Sequence, residues 1–371
     1  MKSIGSARLA FASVIALACV GVATPASAEK IENSYICVFK EGTVGRGQER
    51  AQANAAAANA GGNVNHVYTK AIRGFAANMS ARGAAQMQAS NPRIAYCEQD
   101  QVVKTAQGKP DKGGSTGSAS ETTPWGIARV GGGQTGATGR AFVIDSGVDL
   151  DHPDLNVNTG MSRSFTREKN ADDGNGHGTH VAGTIAAIAN NNIGVVGVAA
   201  GAEIVAVKVL TRSGSGSNSG VIAGVDYVAQ VGRAGDVANM SLGGGVSTVL
   251  DNAVINAAAG GVKFILAAGN ESDDADNHSP ARANGPNVFT VSSFAQGDNW
   301  SSFSNFGNPP VDYAEPGSSI YSTYKGGGYA TLSGTSMAAP HLAGLLLLGP
   351  VRSGGTVKGD PDGNPDTIGI R

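Results

Sequence analysis

From Thr123 onward, short continuous apolar runs alternate with longer segments of helical periodicity. The runs cover residues 140–145, 203–210, 236–242, 263–268, 287–292 and 311–313, and the helical segments cover 177–189, 219–230, 249–259 and 335–348. A strand with one wet face alternates polar and apolar residues, so strands that are apolar throughout must be covered on both sides. The intervening helices provide that cover, together with the crossovers that parallel strands require. The pattern therefore predicts an α/β domain, a parallel sheet flanked by helices. Its chemistry belongs where the carboxyl ends of the strands meet loops.

The sequence ahead of this domain divides into three parts. Lys2 and Arg8 precede an apolar stretch over 9–23 and the small-residue site Ala26-Ser27-Ala28, so residues 1–28 read as a signal peptide for export, to the periplasm or the extracellular space. Residues 29–107 predict a small α+β module of order βαββαβ: a strand at 34–40, a helix at 46–60 ended by Gly61-Gly62, two strands within 65–79, a helix at 81–91 stopped by Pro92, and a strand at 93–104. Residues 108–122 are nearly devoid of apolar side chains and read as a linker, which leaves 123–371 as the main domain.

Composition narrows the function. A net charge of −2 argues against nucleic acid as a partner, and no stretch past residue 30 predicts a membrane span once the signal is removed. Only 15% of residues are charged while Gly numbers 55, so the surface is expected to be made of Gly, Ser, Asn and Thr. The three cysteines all precede residue 100, which excludes thiol catalysis in the main domain.

Three segments of that domain carry reactive side chains. Asp145 ends a buried strand immediately before Ser146-Gly147, His177 and His180 open a helix within Asn175-Gly-His-Gly-Thr-His-Val-Ala-Gly-Thr184, and Ser336 opens another within Ser333-Gly-Thr-Ser-Met-Ala-Ala-Pro-His341. Taken singly, each has an ordinary structural explanation, such as a loop acid or a helix cap. Together they supply what acyl transfer needs: an alcohol, an imidazole to take its proton, and a carboxylate to orient the imidazole.

These blocks, in this order, resemble the three signature segments of subtilisin-like serine proteases, and the resemblance runs from about Thr123 to Leu348, closest to the proteinase K-like group. It implies a subtilisin-like sheet and secreted serine endopeptidase activity, with Asp145 orienting His177, His177 acting as base and acid, and Ser336 as nucleophile. His180 and His341 are then structural. Asn270, closing Leu266-Ala-Ala-Gly-Asn270, is implied as the oxyanion donor. Ser241, Leu242 and Gly243 are implied as one edge binding protein and peptide substrates, and Gly214, Ser215 and Gly216 as the other. Small neutral pocket walls (Ser241, Gly243, Ala267, Gly269) suggest apolar or aromatic residues before the cut, with Arg282 near the rim. Asn218 stands near a position where proteinase K-like members often carry Tyr, which implies a more open or polar pocket four residues before the cut.

The first module resembles the family's inhibitory propeptide, of ferredoxin-like fold, acting on its own chain as an intramolecular inhibitor. Cleavage near Gln107 or within the linker would release it from a self-processing zymogen. Cys37 and Cys97 fall on its first and last strands, as a disulfide or as two buried thiols. By the same resemblance, calcium sites are expected at Pro286, Val288 and Asp312, and at Asp154 with the 188–195 loop. The polar segment 351–371 is expected to be a tail, with 360–366 a solvated turn.

Overall fold

The computed structural model describes residues 28–106 and 120–371, so the expected signal peptide and most of the expected linker lie outside the described residues. The first module contains β1 (Lys30–Phe39), α1 (Glu49–Asn59), β2 (Asn63–Tyr68), β3 (Gly74–Asn78), α2 (Ala81–Ser90) and β4 (Ile94–Thr105), in the expected order. The strands form an antiparallel sheet in the order β4-β1-β3-β2. One sheet face holds Phe75 and Ala77 against the buried Ala53, Ala56 and Ala57 of α1 and Met87 of α2. Ser80 caps α2 by accepting the Gly83 N–H at 3.1 Å. Antiparallel pairing sets Cys37 opposite Cys97, and the two form a disulfide with Cα atoms 4.1 Å apart.

The main domain begins earlier than expected. Thr122 already bridges to Val195 and donates its N–H to Gly194, so the linker ends before residue 122. The elements that follow are α3 (Trp125–Arg129), β5 (Arg140–Asp145), β6 (Arg163–Ser164), α4 (His177–Ala186), β7 (Glu203–Lys208), β8 (Ser215–Ser217), α5 (Asn218–Val231), β9 (Val237–Met240), β10 (Leu242–Gly245) and α6 (Thr248–Ala258). Then come β11 (Lys263–Ala267), β12 (His278–Ser279), β13 (Val288–Ala295), β14 (Asn299–Trp300), β15 (Val311–Pro316), β16 (Ile320–Tyr324), β17 (Gly328–Leu332), α7 (Thr335–Leu348), β18 (Arg352–Thr356) and β19 (Thr367–Ile370).

The large sheet runs β18-β19-β15-β13-β11-β9-β5-β7-β6, and every pair from β19 to β6 is parallel. Side chains alternate between its faces as strand geometry requires. Ala141 and Val143 pack with Val181 and Ile185 of α4 and with Met337 and Leu342 of α7. Phe142 and Ile144 pack on the other side with Val221 and Val225 of α5 and Leu250 and Val254 of α6. The first module adds Ile36, Tyr68, Ile72 and Val103 to this second cluster, so its sheet lies across α5 and α6.

Two expectations need correction. Helix α4 stops at Ala186 rather than 189, because Ala187 leaves helical geometry (ψ 142°) and Ile188 donates its N–H to Asp154 instead. The C-terminal segment is not a free tail. β18 and β19 form a hairpin, and β19 joins the edge strand β15 with Ile368 opposite Ala314. Ile368 buries against Phe294, Ala314 and Val357, which covers the edge. Asp366, expected in a solvated turn, is 1% exposed and accepts hydrogen bonds from Ser292 Oγ and from Asn308 Nδ2 at 2.8 Å.

Candidate active site

The site gathers at the carboxyl ends of β5, β9 and β11 and at the amino ends of α4 and α7. Asp145 is the last residue of β5 and is fully buried; its oxygens lie 2.8 and 2.9 Å from His177 Nδ1. Since an ionised carboxylate only accepts, Nδ1 carries the proton and Nε2 is left as the basic nitrogen. Nε2 has no hydrogen-bond partner among the described residues. His177 begins α4 because Gly176 adopts φ 109°, where a Cβ would stand 2.3 Å from the Tyr324 ring. Gly178 then lets the helix approach the Asp145 loop, its would-be Cβ lying 2.0 Å from the Gly147 carbonyl.

Ser336 is the second residue of α7 and is also fully buried. Its Oγ donates to the Ser241 carbonyl at 3.1 Å, while Ser241 Oγ donates back to the Ser336 carbonyl at 2.8 Å. Asn270 follows β11, and its Oδ1 accepts from Thr335 N at 2.9 Å and Thr335 Oγ1 at 3.0 Å. Both donors fall on the oxygen, so the amide orientation is fixed. Nδ2 is left buried without a partner among the described residues, which is a costly arrangement unless a ligand oxygen takes it up. Thr335, the residue that orients this amide, went unassigned in the sequence although it lies inside the Ser336 block.

The end of the first module occupies the cleft. β4 is the central strand of three, with Lys104 opposite Ser215, Val103 opposite Gly216, Val102 opposite Ser217, Thr105 opposite Leu242 and Lys104 opposite Gly243. Thr105 N–H also donates to Gly214 at 3.0 Å, and Ala106 N–H to the Ser241 carbonyl at 3.3 Å. All six residues expected to bind substrate main chain therefore contact this one extended segment. The Ala106 carbonyl accepts the Ser336 N–H at 3.3 Å. Val103 is 1% exposed and packs in the cluster with Leu210 and Leu242. Asn218, where a more open or polar pocket was expected, is 1% exposed, and its Nδ2 has no partner among the described residues.

A cavity of about 240 Å³ opens beside Ala106, bounded by Gly243, Ala267 and Gly269 but not by the fourth expected wall residue, Ser241, and also by Glu271 and His278, which the sequence had not suggested. Glu271 accepts from Asn305 Nδ2 at 2.7 Å, while Arg282 is drawn to Asp251 at 3.5 Å. The module is tied down by two of its own carboxylates at helix amino ends and by one carboxylate of the main domain, Asp226 within α5. Asp100 accepts Ser219 N–H and Oγ–H at the start of α5, Glu98 accepts Ser247 Oγ–H and Val249 N–H at the start of α6, and Asp226 accepts the N–H groups of Thr69, Lys70 and Ala71.

His180 and His341 are fully buried, and burial pushes them down to about 3 and about 4, which suits neutral packing residues. Asp154 is buried too, with Oδ1 accepting Asn191 Nδ2 at 2.6 Å and Oδ2 accepting Val195 N at 3.1 Å and Tyr329 Oη at 3.2 Å. Asp312 accepts Thr290 N–H at 2.9 Å, and desolvation, reinforced by the Asp366 carboxylate, pushes it up to about 6. Among the described residues no group of three or more His, Cys, Asp or Glu is arranged to hold a metal, and no helix is long and apolar enough to cross a membrane.

Comparison with known proteins supplies context for this geometry. A family model described as the subtilase family matches residues 142–349, and one described as peptidase inhibitor I9 matches 34–106. Alkaline serine exoprotease A of Vibrio alginolyticus is 43% identical over 299 residues, covering 77% of this chain; the chain spans 53% of that relative's length. Proteinase R of Parengyodontium album is 36% identical over 336 residues, covering 86% of this chain and 80% of its own. A crystal structure of a cold adapted subtilisin-like serine proteinase superposes with a TM-score of 0.55 at 45% identity, over 62% of this chain and 88% of that one.

Proposed function

The chain belongs to the subtilase family and is a subtilisin-like serine protease preceded by an I9 inhibitor module, and from that premise we propose that it is an exported zymogen whose Asp145, His177 and Ser336 cut peptide bonds, the first of them its own. The Ser336 hydroxyl turns from the Ser241 carbonyl to His177 Nε2, which takes its proton as Oγ attacks the substrate carbonyl carbon. Asp145 keeps Nδ1 protonated and stabilises the imidazolium. Ser336 N–H and Asn270 Nδ2 hold the oxyanion. The imidazolium then protonates the departing amine, and water releases the acyl group by the same steps in reverse roles.

The single observation that supports this most is the Ala106 carbonyl, held 3.3 Å from Ser336 N–H at the end of a strand clamped by β8 and β10. A substrate would add between the same two edges. The bond after Ala106 is accordingly the one cut in maturation. The fragment left in place would be the inhibitor. Small cavity walls favour apolar and aromatic side chains before the cut, and Glu271 at the same cavity adds tolerance for a basic one.

The test is direct. Wild-type protein should label at Ser336 with a fluorophosphonate, and its mature form should begin at Gln107. Ser336→Ala should accumulate intact precursor after export. An unlabelled, correctly processed wild type, or normal maturation of Ser336→Ala, would overturn the reading.

Calcium is proposed as a structural ion at Pro286, Val288 and Asp312. The Asp312 carboxylate, one oxygen of which accepts the Thr290 N–H, would hold the ion with the two main-chain carbonyls as further oxygen ligands. Asp154 fits an ion less well, because both its oxygens already accept bonds from protein donors.

A further inference from the structure

Lys208, the last residue of β7, is fully buried, and no step of the reaction above uses it. An ammonium is expensive to bury unless it is paired and hydrogen-bonded. Here Nζ donates to the Ser146 carbonyl and lies 3.0 Å from Glu168 Oε2. Lys208 is also the register partner of Asp145 across β5 and β7. From Glu168 the bonds continue: Oε1 accepts Arg212 N–H at 3.2 Å, the Arg212 carbonyl accepts Asn175 Nδ2 at 3.0 Å, and Asn175 Oδ1 accepts His177 N–H at 3.2 Å. With His177 Nδ1 on Asp145, the ring closes through both members of the acid–imidazole pair. Arg212 lies in the turn where Gly214 N–H returns to the Thr211 carbonyl, just ahead of the β8 edge that grips the strand in the cleft.

We propose that Lys208 is a positioning residue for the reaction: it fixes the Asp145–Ser146 peptide and, through its ion pair with Glu168, ties the Asp145–His177 pair to the 211–217 substrate edge. This rests on the assignment of Asp145, His177 and Ser336 made above. A lysine that merely filled space would be replaceable by Met without electrostatic consequence. A positioning ammonium would not, because Lys208 and Glu168 form an ion pair bonded to the Ser146 carbonyl and, through Arg212 and Asn175, to the His177 N–H. The other charged or titratable groups around it are Asp145, Asp173 (which accepts Ser146 Oγ and Thr179 N–H), His180 one turn along α4, Arg212, and Lys325 (which donates to the Gly174 carbonyl). Removing one member of the ion pair leaves an unopposed charge among them.

The experiment reads the acidic limb of the kcat/KM–pH profile, where activity falls as the imidazole is protonated. Glu168→Gln keeps the shape of the side chain and leaves the Lys208 cation unopposed, which disfavours the imidazolium and should move the limb to lower pH by about half a unit. Lys208→Met leaves the carboxylate unopposed and should move it up by a similar amount, with a lower kcat. The double variant should return the limb to the wild-type position. An unmoved limb in both single variants, even with reduced kcat, marks a packing lysine and overturns the proposal. Should Lys208→Met fail to mature, Glu168→Gln carries the test alone, since that carboxylate is 29% exposed and its loss leaves the core intact. A wild type that does not label at Ser336 would instead sink the underlying assignment.

Discussion

Cutting the Cys37–Cys97 link should loosen the inhibitory module by an amount set by the length of chain it closes. The bond joins residues 60 apart, and a chain-entropy term of −2.1 − 1.5R ln 60 cal/mol/K corresponds to about 4.3 kcal/mol at 25 °C. The closed loop contains α1, β2, β3 and α2, so their amides should open together. At 1.36 kcal/mol per factor of ten, the exchange of their slowest amides should quicken by about a thousandfold. The assay is native hydrogen exchange read by mass spectrometry, comparing the Ser336→Ala precursor with and without Cys37→Ser and Cys97→Ser. Peptides over α1 and β3 should lose protection while those over β11 and β13 keep theirs. A change of about tenfold or less would refute the reasoning, and would mean that docking of β4 between β8 and β10 holds the module whether or not the disulfide is present.

Asn270→Ala should lower kcat with little change in KM; subtilisin itself is the type case for the size of this effect, roughly 10²–10³-fold, and steady-state kinetics on a peptide amide checks it. Asp226→Ala removes the carboxylate that gathers three N–H groups of the 69–71 turn, so about 2 kcal/mol of docking should go and the lag before activity appears should shorten, as a gel time course would show. Asp251 is raised to about 6 from 3.8, first by burial and then by the Glu98 and Asp276 carboxylates. The native precursor thus holds a proton that the unfolded chain releases first, so this contribution is full below about pH 4 and is lost as pH rises to about 6. Asp251→Asn should flatten precursor stability over that window in denaturant titrations. Millimolar calcium should raise the thermal midpoint of the wild type and leave that of Asp312→Asn unmoved.

Sequence alone determined a good deal here, because local pattern carries it. Continuous apolar runs and period-3.6 apolarity between them wrote the parallel sheet and its covering helices, and the order Asp145, His177, Ser336 named the acid, imidazole and alcohol before any distance was known. The edges at Gly214–Gly216 and Ser241–Gly243 were legible only through the resemblance of their segments to the family's substrate-binding edges. What tertiary structure alone decided depends on residues far apart in the chain. Nothing in segment 351–371 announces that Ile368 pairs with Ala314, since an edge strand is defined by what lies beside it. Cys37 and Cys97 were two thiols or one bond until antiparallel register set them face to face. Lys208 lies within the apolar run 203–210, and only folding buries it between the Ser146 carbonyl and Glu168, where water can no longer screen its charge.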